Sequence, residues 1–304
     1  MKNKIQDLQF FAMMFFIMRS SYMTIVSPYN LKIARENSFY SLLIGLLLGI
    51  IPILIFYYIF KNSKKDIIST IHDLFNKNIV GAILNYSILI IVMIYSVITF
   101  DYMVDFAQTT FLDKTPKLYI SILLILPILY SLNHNIKTLA RFTLMLLYIS
   151  IVFIIISTLG LAQSFKFPLN EINFSGNIYN FVKAVIIVIS YIVLPLYICL
   201  IIPKKNIYFL KDFKKKYILS YIIISFLLLI ENLFILSNFG YKLAILYKYP
   251  IFSIFRSITI FGFINRILSV FSVVWIIDML ITIIYCFYYF KSFNIIYMKK
   301  IDKS

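Results

Sequence analysis

Residues 8–28 read LQFFAMMFFIMRSSYMTIVSP, a run long enough to cross a bilayer, with Arg19, Ser20 and Ser21 near its middle. A membrane helix needs about 20 apolar residues because the hydrocarbon core is roughly 30 Å thick. An arginine at that depth costs at least about 2.5 kcal/mol on lenient insertion scales, so it persists where it faces protein or water. The first span is therefore expected to be interrupted in its middle. It should supply half of a polar centre around which the other spans are wrapped.

Hydrophobic residues fill 62% of the 304 positions and charged residues only 13%, the latter clustered between long apolar runs. Soluble domains hold about 45–50% apolar residues, and transmembrane barrels show alternation rather than continuous runs. The chain reads as an all-α polytopic membrane protein. A net charge of +17 would point to nucleic acid in a soluble chain. Here the lysines flank apolar runs, so they read as topology signals and contacts to anionic lipid, with no nucleic-acid partner. Cys199 and Cys286 lie inside apolar runs and carry no redox message. The first run lacks a strongly basic head and a small-residue cleavage site, so it is expected to remain in the mature protein.

Eight spans are expected, at 8–27, 39–60, 79–101, 118–133, 139–161, 178–202, 217–237 and 264–289, in one integral membrane domain covering 1–304. With the N-terminus inside, eighteen basic residues fall on inner segments and eight on outer ones, which favours both termini in the cytoplasm. Two connecting stretches, 66–78 and 250–261, carry apolar residues at helical spacing and are expected to lie on the membrane surface. Gly45 and Gly49 in the second span form a small-xxx-small pair that lets another helix approach closely.

The sixth span carries Lys183, Ser190, Tyr191 and Pro195. Proline removes a helical hydrogen bond and clashes with the preceding turn, and in a membrane the freed carbonyl must find a partner. Spans one and six thus bear helix-loosening features at mid-depth and enter from opposite sides, as two discontinuous helices of an inverted repeat would. Asn85, Asp101, Asp105, Glu231, Asn232 and Asp278 are further polar residues in or beside spans. Asp101 and Asp105 share one helix face. Asp278 requires a cation or a proton, with Arg19 its expected partner and Lys183 the second choice. His72 and His134 stand apart from any acid or Cys cluster, so no metal site is expected. Neither a phosphate loop nor a nucleophile set is present, so no enzyme activity and no cofactor are expected.

Several stretches resemble the spore germination permeases, the B subunits of GerA-type germinant receptors in the amino acid–polyamine–organocation superfamily. These are IQDLQFFAMMFFIMRSSYMTIVSP, the run from Ser63 to Thr115-Pro116, and YKYPIFSIFRSITIFGFINRILSVFSVVWIIDM with Tyr249-Pro250, Arg256, Phe263, Arg266 and Trp275. The resemblance implies the ten-helix inverted-repeat fold of amino-acid transporters, with broken helices 1 and 6 framing a small-molecule site. Residues 1–161 would form a first repeat of five helices, and 162–304 an incomplete second repeat of three. Where the family signature in span six has glycine and glutamate, this chain has Leu194-Pro195-Leu196, so Pro195 is expected to supply the break.

The implied role is sensing of a germinant, such as an amino acid, in the inner spore membrane, beside a receptor A subunit and a lipoprotein C subunit. Expected ligand contacts are Arg19, Ser20, Ser21 and Tyr22 from the first span and Ser190, Tyr191 and Pro195 from the sixth. Asp101 and Asp278 are added for an ammonium, and half-helix N–H groups for a carboxylate. Two other readings fit the same residues: an amino-acid/proton transporter with Asp278 or Glu231 carrying the proton, and a structural subunit that binds nothing.

Overall fold

The computed structural model describes residues 4–63, 67–74, 79–162, 165–168, 177–257 and 267–301. The chain enters through α1 (Asp7–Ser21). The Gln9 side chain turns back onto the Gln6 N–H at 3.0 Å, satisfying a donor that the first turn would otherwise leave open. From Ala12 to Pro28 every residue is buried. The first span is thus the axis of the bundle, packed against spans five, seven and eight.

The expected break in this span takes the form of a π turn, Tyr22–Val26, after which the helix resumes as α2 (Ser27–Ala34). The dihedrals at both flanks stay helical. Pro28 lacks an N–H, and the backbone absorbs this by rewinding rather than by opening. Span six repeats the device: α9 (Ile178–Val188) passes into a π turn, Ile189–Val193, and then a 3-10 segment, Leu194–Ile201. In both spans the π turn ends two residues before a proline, Pro28 or Pro195. The two π turns touch each other. The interrupted middles therefore meet as expected. Because the winding stays helical, no half-helix N-terminus is freed there, and the expected carboxylate contact to such N–H groups has no place in this geometry.

After α2 the chain reverses at Arg35, at a φ of 53°. It returns as α3 (Ser38–Leu48) and α4 (Ile50–Asn62). The Asn30 amide donates to Ser38 O at 2.7 Å and accepts from Ser41 Oγ at 2.6 Å, tying the two arms of this reversal. The apolar stretch Asp7–Asn62, at 56 residues, is long enough for two passages. The glycine pair seats α3 directly on α9 and on Tyr221.

Short α5 (Ile67–Leu74) buries Ile67, Ile68 and Ile71 against α6 (Ile79–Phe111), and Asn85 of α6 donates to Ile68 O at 3.0 Å. Pro116 begins α7 (Lys117–Ser131), whose 15 residues reach only about 22 Å at 1.5 Å each. Long α8 (Ile136–Ala162), α10 (Phe213–Ala244) and α12 (Ile267–Ile301) complete the bundle. Between the last two lies α11 (Pro250–Ser257), the second expected surface helix; residues 258–266, with Arg266, lie outside the described residues.

Leu118, Tyr119, Leu123 and Leu126 of α7 and Met145, Val152 and Leu159 of α8 are exposed, although all are apolar. Such a face suits lipid rather than water. Six stretches among the described residues are long and apolar enough to cross a membrane. At the end holding the N-terminus, Ile5 N–H donates to Asn206 O at 2.6 Å, Tyr208 N–H donates to Ile5 O at 3.0 Å, and Lys216 pairs with Asp7 at 2.9 Å.

Candidate functional site

Three spans deliver charge to the centre of the bundle. Arg19 lies in the last turn of α1, just ahead of the π turn, and is 4% exposed. Its Nε donates to Glu231 Oε1 of α10 at 3.0 Å, and its Nη1 contacts Asp278 Oδ2 of α12 directly. The guanidinium also lies 5.8 Å from the Phe15 ring centroid, a cation–π distance. Arg19 and Asp278 are paired as the sequence suggested. Glu231 makes the pair a triad, while Lys183, the second-choice partner, is exposed on α9. Around the triad, the Tyr22 hydroxyl meets the Asn232 amide and the Ser27 hydroxyl, and Ser150 of α8 reaches Asp278, while Ser20 Oγ and Glu231 Oε2 are buried without a hydrogen-bond partner. A buried polar atom left unanswered marks a place where the protein holds something or moves.

Ser190, Tyr191 and Pro195 belong elsewhere. With Leu194 and Ile198 they form one wall of a cavity of about 500 Å³, whose opposite walls are Phe56 of α4, Ile71 of α5 and Ile88, Val92 and Tyr95 of α6. This space lies within the roughly 300–1,000 Å³ range of small-molecule sites. Its lining is apolar save for a few hydroxyls. Tyr95 Oη is hydrogen-bonded to Ser21 Oγ, and Ser21 in turn donates to Ile17 O at 2.8 Å. Tyr95 thus connects the cavity beside span six to the loosened middle of span one. Nothing in the sequence singled it out, since a tyrosine within an apolar run has no distinctive spacing.

At the opposite end from the N-terminus, Asp105 collects three donors: Lys117 Nζ at 2.8 Å, Lys248 Nζ at 2.6 Å and Tyr249 Oη at 2.6 Å. Phe106 beside it stacks on Trp275 (5.4 Å) and meets Tyr249 and Phe252 edge-on, each at 5.1 Å. These contacts hold α11 over the end of the bundle, where Ile251 and Ile254 roof the Arg19–Glu231 pair. Asp101 is exposed on α6 and joins neither the triad nor the cavity. The nine expected contacts therefore divide into Arg19 and Asp278 in the triad with Ser20 and Tyr22 beside it, Ser21 on Tyr95 at the edge of the cavity, Ser190, Tyr191 and Pro195 in the cavity wall, and Asp101 apart.

Continuous apolar helices around a buried charged centre define a multi-pass, all-α membrane protein of the permease type. The chain belongs to the spore germination protein family, whose model matches residues 4–303. No curated protein and no solved structure matches it.

Proposed function

We propose that this chain is the membrane B subunit of a spore germinant receptor. It would lie in the inner spore membrane with both termini inside, beside an A subunit and a lipoprotein C subunit. The ligand is a small molecule of amino-acid type with an apolar side group, and its recognition involves no catalysis. The observation that carries this reading is the cavity of about 500 Å³ against the π turn and Pro195 of span six, joined through Tyr95 to Ser21 of span one. A ligand filling it touches the two places where helical winding is least regular, so it can bias how the spans seat against each other.

The decisive experiment deletes the gene and scores spore germination against a panel of amino acids. Loss of response to one apolar amino acid, restored by the wild-type gene but not by a variant with the cavity filled, supports the assignment. An unchanged response to the whole panel leaves only a structural role and sinks it. The triad favours one second reading, a proton-coupled amino-acid transporter. Labelled amino acid accumulating in proteoliposomes under a proton gradient would establish that instead, since a sensor alone shows no accumulation.

A further inference from the structure

The triad has two acids and one base. Among the described side chains, Arg19 is the cation in contact with both Glu231 and Asp278. Were both carboxylates ionised, the middle of the bundle would hold an uncompensated negative charge, and a buried charge of that kind costs several kcal/mol. A neighbouring acid raises the cost further, so ionising both carboxyls at once beside a single guanidinium is disfavoured. The second carboxyl oxygen of Glu231, Oε2, has no hydrogen-bond partner, so it has room for a proton.

Among the described side chains no second cation touches either carboxylate. Of the elements packed on the triad, α8 presents Ser150, Ser157 and Thr158, α11 presents Ile251 and Ile254, and the first span adds Tyr22. The side chains are not equally enclosed: Asp278 is 1% exposed and Glu231 is 13%. Beside Arg19 and Glu231, beneath α11, lies a crevice of about 20 Å³. A water molecule needs roughly 10–15 Å³ measured in this way, so the crevice has room for one.

The geometry points to a site for one exchangeable proton, shared by the carboxyls of Glu231 and Asp278 and reached through the crevice beneath α11. On protonation, a hydronium at the crevice gives its proton to Glu231 Oε2, and water is returned. Arg19 and Asp278 then form a neutral pair beside a neutral Glu231. On release the proton leaves by the same water. The site is independent of which molecule the protein senses, and it places proton exchange on the face that Asp105 and Tyr249 hold closed.

Infrared spectroscopy of the full chain in lipid nanodiscs tests this. At neutral pH the wild type should show a protonated-carboxyl stretch equivalent to one group per chain. Glu231→Gln and Asp278→Asn should each abolish it, because either leaves one carboxylate for one guanidinium. Both variants keep side-chain shape; if one does not fold, the other decides, and the wild-type band is itself required. In deuterated buffer the band should shift several-fold faster in Tyr249→Phe, which loosens α11. An absent wild-type band, or one that survives either substitution, overturns the shared proton. An exchange rate unchanged in Tyr249→Phe overturns the route.

Discussion

The hydroxyl of Tyr221 on α10 donates to the main-chain carbonyl of Leu46 on α3 at 2.6 Å. It gets there because the next turn of α3 carries Gly49, where a Cβ would collide with that hydroxyl and sit 2.6 Å from Val193 Cγ2. Gly45 does the same for α9, at 2.7 Å from Val188 Cβ. Gly49→Ala should therefore cost about 1–3 kcal/mol of stability through overpacking. Adding Tyr221→Phe, which removes the colliding oxygen, should recover part of it. Thermal unfolding in detergent reads both effects; strictly additive losses would mean that the two residues do not share one contact.

Arg19→Ala leaves two buried carboxyl groups, and the negative charge they share, without a cation, a loss of about 3–5 kcal/mol by comparison with other broken buried pairs. Neutralising the acids as well, with Glu231→Gln and Asp278→Asn, should restore most of the folded yield and melting temperature. A triple variant no better than the single one would place the cost in lost packing on Phe15 rather than in charge.

The pairing of Arg19 with Asp278 was legible in the sequence because a charge in hydrocarbon is too costly to leave alone. Glu231 was visible as a polar residue in an apolar run, but its place in the triad depends on the azimuth of α10, which periodicity does not set. Asp101 and Asp105 share a helix face, and only the landing point of Lys248 and Tyr249, over a hundred residues away, decides which acid gathers partners. Pro195 announced a disturbance in span six. Whether the helix then opens or rewinds depends on neighbours that can accommodate the shifted carbonyls, so the π turns had no local signature. The cavity had none either, being a place that side chains leave empty.

At Asp105 the three donors should matter unequally. Lys117 and Lys248 are 50% and 58% exposed at their side chains, and surface ion pairs of this kind contribute little, being screened by solvent and salt. Tyr249 is buried, and its hydroxyl meets a charged acceptor, a bond of about 1.5–3 kcal/mol. The expected order of destabilisation is Asp105→Ala, then Tyr249→Phe, then Lys117→Met and Lys248→Met together. Molar salt should erase the lysine effects and leave that of Tyr249. Lysine variants as damaging as Tyr249→Phe would contradict this ordering.

Filling the cavity separates ligand binding from folding. Ser190 and Ile98 both line it, and Ser190 lies in the π turn, where its neighbours are only partly buried. Ser190→Phe and Ile98→Phe place added volume into space already empty, so neither should lower the melting temperature by more than a few degrees. Each should weaken the germination response at least tenfold in ligand concentration if the ligand occupies this space. Tyr95→Phe is the finer probe. It keeps the wall intact but cuts the link to Ser21, so ligand should still bind while the response per bound ligand falls. Equal loss of binding and response in Tyr95→Phe would make the hydroxyl a ligand contact; unchanged response in all three would place recognition outside the cavity.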